Sequence, residues 1–134
     1  MSATLHVLVI DDEPIVGKRL LPALEKIGCS VEFYTDPHEA LRRFDQKPAD
    51  IVVADIRMEG MDGIQILEHV MRKSMRTKVI MITGYATLEV AREAQAKGAF
   101  DFIAKPFKPA DLRQIISKAA QALESSGARS AIGS

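Results

Sequence analysis

Five short, largely apolar runs recur along this chain, and each is followed by a longer segment in which apolar residues return every three or four positions. The runs are LHVLVI (Leu5–Ile10), VEFY (Val31–Tyr34), IVVA (Ile51–Ala54), VIMI (Val79–Ile82) and FDFIA (Phe100–Ala104). The first, third and fourth are too continuously apolar for strands with one wet face. They read as strands covered on both sides, the signature of a parallel sheet. Strands of that kind need helical crossovers on both faces, so the pattern predicts a doubly wound α/β fold.

The segments between the runs carry helix ends in the expected places. Pro14 suits a first helical position and Gly28 a C-terminal stop. Asp36-Pro37-His38-Glu39 reads as an N-cap, a first-turn proline and a capping-box glutamate. Ile64, Leu67, Val70 and Met71 form the apolar stripe of a third helix. Thr87 can cap a fourth helix that ends at Gly98. Lys108-Pro109 opens a fifth, with Leu112, Ile115, Ile116, Ala119 and Leu123 on one side. The remainder, 125–134, reads as a flexible tail or linker after a domain spanning 1–124. Pro22 falls inside the first helix pattern, where it removes a hydrogen bond at a cost of about 3 kcal/mol, so a kink or early break is expected there.

Composition excludes several classes of function. The 134 residues suit one domain, and a hydrophobic share of 47% supports a full core. Eighteen Lys and Arg balance eighteen Asp and Glu, so the broad positive field of a nucleic-acid binder is missing. The Arg42-Arg43 and Arg72-Lys73 pairs read as solvated helix faces. Cys29 is the single cysteine, without a partner for a disulfide or a CxxC site, and reads as a small half-buried residue. No run approaches the roughly 20 apolar residues that span a bilayer. The N-terminal MSATLHV lacks the regions of a signal peptide, so a cytoplasmic protein without a membrane partner is expected.

In open parallel sheets, ligands lie beyond the carboxyl ends of the strands. Those positions hold Asp11 and Asp12, Thr35 and Asp36, Asp55, Thr83 and Gly84, and Lys105 and Pro106. If the first, third, fourth and fifth strands are neighbours, three carboxylates, a hydroxyl and an ammonium share one edge. Three clustered carboxylates raise one another's pKa values, and a divalent cation relieves that conflict. All-oxygen ligands favour Mg²⁺, with Mn²⁺ able to substitute. No His or Cys stands at a strand end, which argues against zinc. Thr83 and Lys105 are phosphate-binding groups. Asp55, apart from the acidic pair and followed by the loop IRMEGMDG, is the candidate nucleophile that would form an aspartyl phosphate. Gly60 and Gly63 permit the tight path of that loop.

VLVIDDEP, IVVADIRMEGMDG, VIMITGYAT and FDFIAKPF, in this order, resemble the receiver domains of bacterial two-component response regulators. The wording is most similar to receivers of nitrogen-regulation-type activators. The resemblance covers Leu5 to Leu123 and implies a flavodoxin-like (βα)5 fold with strand order 2-1-3-4-5. It implies Asp55 as phosphoacceptor, with Mg²⁺ held by Asp11, Asp12, Asp55 and the backbone carbonyl of Arg57. Thr83 and Lys105 would engage the phosphoryl group, Phe102 would act with Thr83 as a switch, and Lys105-Pro106 would be cis. The resemblance also implies that a sensor histidine kinase donates the phosphoryl group. A changed surface on helix 4, strand 5 and helix 5 would control a downstream effector, and a phosphorylation-dependent homodimer is compatible with it. The domain would catalyse only its own phosphorylation and dephosphorylation. Arg57 and Tyr85, two residues after Asp55 and Thr83, would flank the path of hydrolytic water and slow dephosphorylation.

Taken singly, these residues also suit plainer roles. Asp11, Asp12 and Glu13 could be ordinary helix-start charges, and Glu13 is read as one. Asp62 reads as a loop-shaping or capping residue. His6, His38 and His69 fall away from the strand ends and read as surface or satisfied histidines. A Mg²⁺-dependent aspartate phosphatase is the alternative function, although Arg57 stands where such enzymes want a second acid. A flavin carrier would need a phosphate-cradling loop after the first strand, where DDEP would repel phosphate.

Overall fold

In a computed structural model, residues 4–58, 60–84 and 88–133 are described. Their elements alternate without exception: β1 His6–Ile10, α1 Pro14–Glu25, β2 Ser30–Tyr34, α2 Pro37–Gln46, β3 Ile51–Asp55, α3 Gly63–Lys73, β4 Lys78–Thr83, α4 Leu88–Ala96, β5 Asp101–Ala104 and α5 Pro109–Gly133. All strand pairs are parallel, and the order is β2-β1-β3-β4-β5. The doubly wound sheet expected from the apolar runs is therefore present, with strand ends shifted from the sequence reading by at most one residue.

Side-chain alternation along the strands builds two cores. Leu8, Ile10, Val52, Ala54, Val79 and Met81 face Phe44 of α2 and Ile66, Leu67 and Val70 of α3. Val7, Val9, Ile51, Val53, Ile80 and Ile82 face Leu20 and Leu24 of α1 and Leu112, Ile116 and Ala119 of α5. Both faces of β3 are sealed, which is why IVVAD can be apolar until its last residue. In α3 the stripe turns slightly from the expected one: Ile66, Leu67 and Val70 are buried, while Ile64 and Met71 pack at the margin.

Helix α1 does not break at Pro22. It continues to Glu25, and the next turn closes with the Lys26 N–H donating to the Pro22 carbonyl at 3.0 Å. Proline removes one donor only, and the buried Leu20 and Leu24 on either side hold the helix to the sheet. Gly28, at φ +91°, then reverses the chain, as Gly98 does after α4 at φ +103°. Asp36 and Asp62 cap α2 and α3. The Asp62 side chain accepts from the Gln65 N–H and the Gln65 side chain accepts from the Asp62 N–H, a complete capping box. Thr87, the expected cap of α4, lies outside the described residues. The backbone of α5 is helical through the expected tail, and Leu123 is its last buried residue among those described.

At the end of the sheet where β1 and β3 begin, Asp50 joins three strands. Its carboxylate accepts the His6 N–H at 2.9 Å and pairs with Arg76 at 3.2 Å. Its backbone N–H donates to the His6 carbonyl, and its own carbonyl accepts from Lys78, each at 3.0 Å.

Candidate functional site

The opposite end of the sheet carries the candidate site. Ladder hydrogen bonds continue past the strands there: Asp11 N–H to the Tyr34 carbonyl at 3.1 Å, Ile56 N–H to Ile82 at 2.9 Å, and Lys105 N–H to Thr83 at 2.8 Å. With Ile10 opposite Ala54, Asp55 opposite Ile82 and Thr83 opposite Ala104, the register brings residues 11, 55, 83 and 105 to one edge. The sequence placed each of them at a strand end, and the sheet order makes those ends neighbours.

Asp11, Asp12 and Asp55 each offer a carboxylate oxygen within 4.8 Å of the others. Asp11, Asp55 and Thr83 are buried, while Asp12 is exposed. Asp11 and Asp55 use their oxygens alike. One oxygen of each accepts a backbone N–H two residues on, from Glu13 and from Arg57, both at 2.9 Å. The other faces Lys105, whose ammonium lies 2.6 Å from Asp55 Oδ2 and 3.0 Å from Asp11 Oδ2. The contact with Asp11 is an ion pair without a hydrogen bond. Among the described residues, Asp11 Oδ2 is the buried side-chain oxygen left without one.

Burial pushes the Asp11 carboxyl above its usual range, against the Glu13 N–H and Lys105, which pull it down. Burial would lower the Lys105 ammonium, but hydrogen bonds to Asp55 and Glu13 and the charge of the nearby Asp11 outweigh it and hold the group well above its ordinary value. Two buried carboxylates and an exposed third, with one buried oxygen lacking a hydrogen bond, form a hard, oxygen-only donor set. That set fits Mg²⁺ or Mn²⁺ better than a soft metal. An open cleft of about 590 Å³, bordered by Asp12, Arg57 and Asp62, adjoins it.

Close backbone packing sets the position of Asp55. Gly63, at the start of α3, lies against the Asp55 carbonyl and Ile56 Cα with no room for a side chain, and its N–H donates to the Ile56 carbonyl at 2.8 Å. Gly60 turns the intervening loop at φ +86°. On the far side, the Lys105-Pro106 peptide is cis. Phe102 is half-buried on β5, beside a cavity of about 170 Å³ that Ala91, Ala94 and Ala99 help to line. Tyr85 lies outside the described residues.

One participant was not legible in the sequence. Glu13 is the N-cap of α1, yet its side chain makes no capping bond; it turns to Lys105 at 2.8 Å. That ion pair holds the Glu13 carboxyl below its usual value. The partners are 92 residues apart, so no local pattern announces them. Two of the histidines pair elsewhere: His6 contacts Glu32 at 2.9 Å and His69 contacts Asp45 at 2.8 Å.

Comparison with known proteins agrees with this geometry. The family model described as "Response regulator receiver domain" matches residues 7–117. Regulatory protein AtoC of Escherichia coli is 38% identical over 121 residues, 90% of this chain and 26% of that protein. The C4-dicarboxylate transport transcriptional regulatory protein DctD of Rhizobium meliloti is 37% identical over 107 residues, 80% of this chain and 23% of its own. The chain thus spans about a quarter of the length of these relatives. Among solved structures, a CheY-like receiver domain protein from Methanospirillum hungatei superposes with a TM-score of 0.88 at 28% identity, covering 92% of this chain and 99% of that one. NtrX from Brucella abortus gives a TM-score of 0.81 at 29% identity, covering 98% of this chain and 30% of that one. Sheet order, strand-end residues and relatives lead to one conclusion: the chain belongs to the response regulator receiver domain family.

Proposed function

We propose that this receiver domain takes a phosphoryl group from a sensor histidine kinase onto Asp55. The observation that carries this reading is the buried Asp55 carboxylate, 2.6 Å from Lys105 and clustered with Asp11 and Asp12. An Asp55 oxygen attacks phosphorus and the phosphorus–nitrogen bond to the donor imidazole breaks. The electron pair leaves with that nitrogen, and an acyl phosphate remains on the aspartate. Lys105, already beside Asp55, pairs with the incoming phosphoryl oxygens, and the Thr83 hydroxyl donates to them. Asp11, Asp12, Asp55 and the Arg57 carbonyl would hold Mg²⁺, or Mn²⁺ in its place. Bound there, the cation would neutralise charge developing on the phosphoryl oxygens.

The output in this reading is a changed surface on α4, β5 and α5, with Thr83 drawn to the phosphoryl group and Phe102 turning inward. That surface would control an effector domain or protein, with phosphorylation-dependent homodimerisation as one route. The relatives are regulators about four times as long, which fits residues 1–124 as the receiver and 125–134 as the link to an output unit. Among the described residues no helix is long and apolar enough to cross a membrane, in keeping with a cytoplasmic module.

The test is mass spectrometry after treatment with phosphoramidate and Mg²⁺. One added phosphoryl group is expected, absent with EDTA and absent in Asp55→Asn. Phosphorylation that persists in Asp55→Asn refutes the assignment.

A further inference from the structure

Lys105 faces two sets of carboxylates. Asp11 and Asp55 belong to the three-carboxylate cluster; Glu13 lies outside it. One oxygen of Asp11 and one of Asp55 already accept backbone N–H groups, and the other oxygen of each, the less committed one, is the one Lys105 contacts. The ammonium and a divalent cation therefore compete for the same two carboxylates.

We infer that Glu13 is a positioning residue that keeps a partner for Lys105 when the acidic cluster takes up its cation. This rests on the reading above of Asp11, Asp12 and Asp55 as the cation site. When the cation arrives, the ammonium gives up two oxygens. The Lys105 side chain is only 20% exposed, so water cannot readily replace both. Glu13, with a side chain 59% exposed, sits at the rim and lets the ammonium keep one charged hydrogen bond without leaving the cleft. Without Glu13, cation uptake strands a half-buried ammonium, and affinity falls. The same rim contact holds Lys105 near Asp55, where a phosphoryl group would next receive it.

Calorimetric titration of the unphosphorylated protein with MgCl₂ tests this without any turnover. Glu13→Gln should raise the Mg²⁺ Kd about fivefold, the most a single partly exposed ion pair ordinarily contributes. Glu13→Asp keeps the charge but shortens the reach by one methylene, and should behave like Glu13→Gln. Lys105→Met removes the competing cation and should tighten Mg²⁺ binding. In that background Glu13→Gln should change the Kd by less than about twofold, the residue of a screened surface charge. If Glu13→Asp binds as the parent does, or Glu13→Gln weakens binding equally with and without Lys105, Glu13 acts only through its field and the inference fails. A parent protein that takes up no Mg²⁺ would overturn the cation site itself, and this inference with it.

Discussion

Gly63→Ala should damage both stability and phosphorylation, through one contact. A Cβ at this position would stand 2.5 Å from the Asp55 carbonyl oxygen, 2.7 Å from Ile56 Cα and 2.7 Å from Met81 Cε. Two of these are backbone atoms and cannot rotate aside. Carbon atoms pack best at about 3.5–4.0 Å, so the start of α3 must withdraw from β3 by roughly 1 Å. Overpacking of this kind costs about 1–3 kcal/mol. The helix gains at most about 1 kcal/mol from alanine, and less at its first position. The net loss is about 1–2 kcal/mol, which for a domain of this size lowers Tm by roughly 3–10 °C. Because the displaced atoms are Asp55 and Ile56 backbone, the proposed nucleophile moves relative to Asp11 and Lys105. A shift of that size can slow labelling by phosphoramidate by on the order of 10²-fold. Circular dichroism melts and timed mass spectrometry measure the two effects. Gly84→Ala is the control for the melts, because no atom of the described residues lies within 4 Å of its added Cβ. A Gly63→Ala protein that melts with the parent refutes the packing argument. One that melts early but labels at the parental rate refutes the coupling to Asp55.

Other positions give equally direct tests. Phe44→Ala empties the centre of the core between α2, α3 and the sheet and should cost about 3–5 kcal/mol in urea unfolding. The Arg43 guanidinium, 2.9 Å from Glu32, holds that carboxyl below its usual value of 4.5. A carboxyl lowered on folding stabilises above its unfolded pKa and loses that stabilisation as pH falls through the folded one. Arg43→Leu should therefore lower Tm at neutral pH, and the gap from the parent should narrow as melts are taken down to about pH 3. Arg57→Asn should speed decay of the phosphorylated protein at fixed Mg²⁺, by placing a carboxamide able to orient water beside Asp55; unchanged decay rules out shielding by Arg57.

Much of this was legible because the site lies where strands end. A strand buried on both faces must be apolar, so the first carboxylate after IVVA or VLVI stands out against it. Parallel order then carries Asp11, Asp55, Thr83 and Lys105 to one edge. Helix caps were readable for the same local reason: Asp36, Asp62, Gly28 and Gly98 answer to backbone groups within a few residues. What escaped was non-local. Glu13 looks like any helix-start charge until β5 places Lys105 beside it. The kink or early break expected at Pro22 follows from one lost hydrogen bond; the helix does not break there and continues to Glu25, with Leu20 and Leu24 buried on either side. In α3, apolar residues at 64, 66, 67, 70 and 71 allow more than one stripe, and only packing against the sheet selects Ile66, Leu67 and Val70.

The Asp50 junction has a consequence for the far end of the molecule. A five-residue strand is about 17 Å long, so Asp50 never meets the proposed phosphorylation site. It nevertheless acts as the ruler's zero mark. In a sheet, a slip of one residue sends every side chain to the opposite face. If β3 moved one place against β1, Ala54 or Ile56 would occupy the position of Asp55, and the acidic cluster would lose its centre with no atom of the site itself altered. By fixing where β1, β3 and the approach to β4 start, Asp50 fixes which residue arrives at the finish. Errors of alignment made at this base are read out as chemistry at the opposite rim.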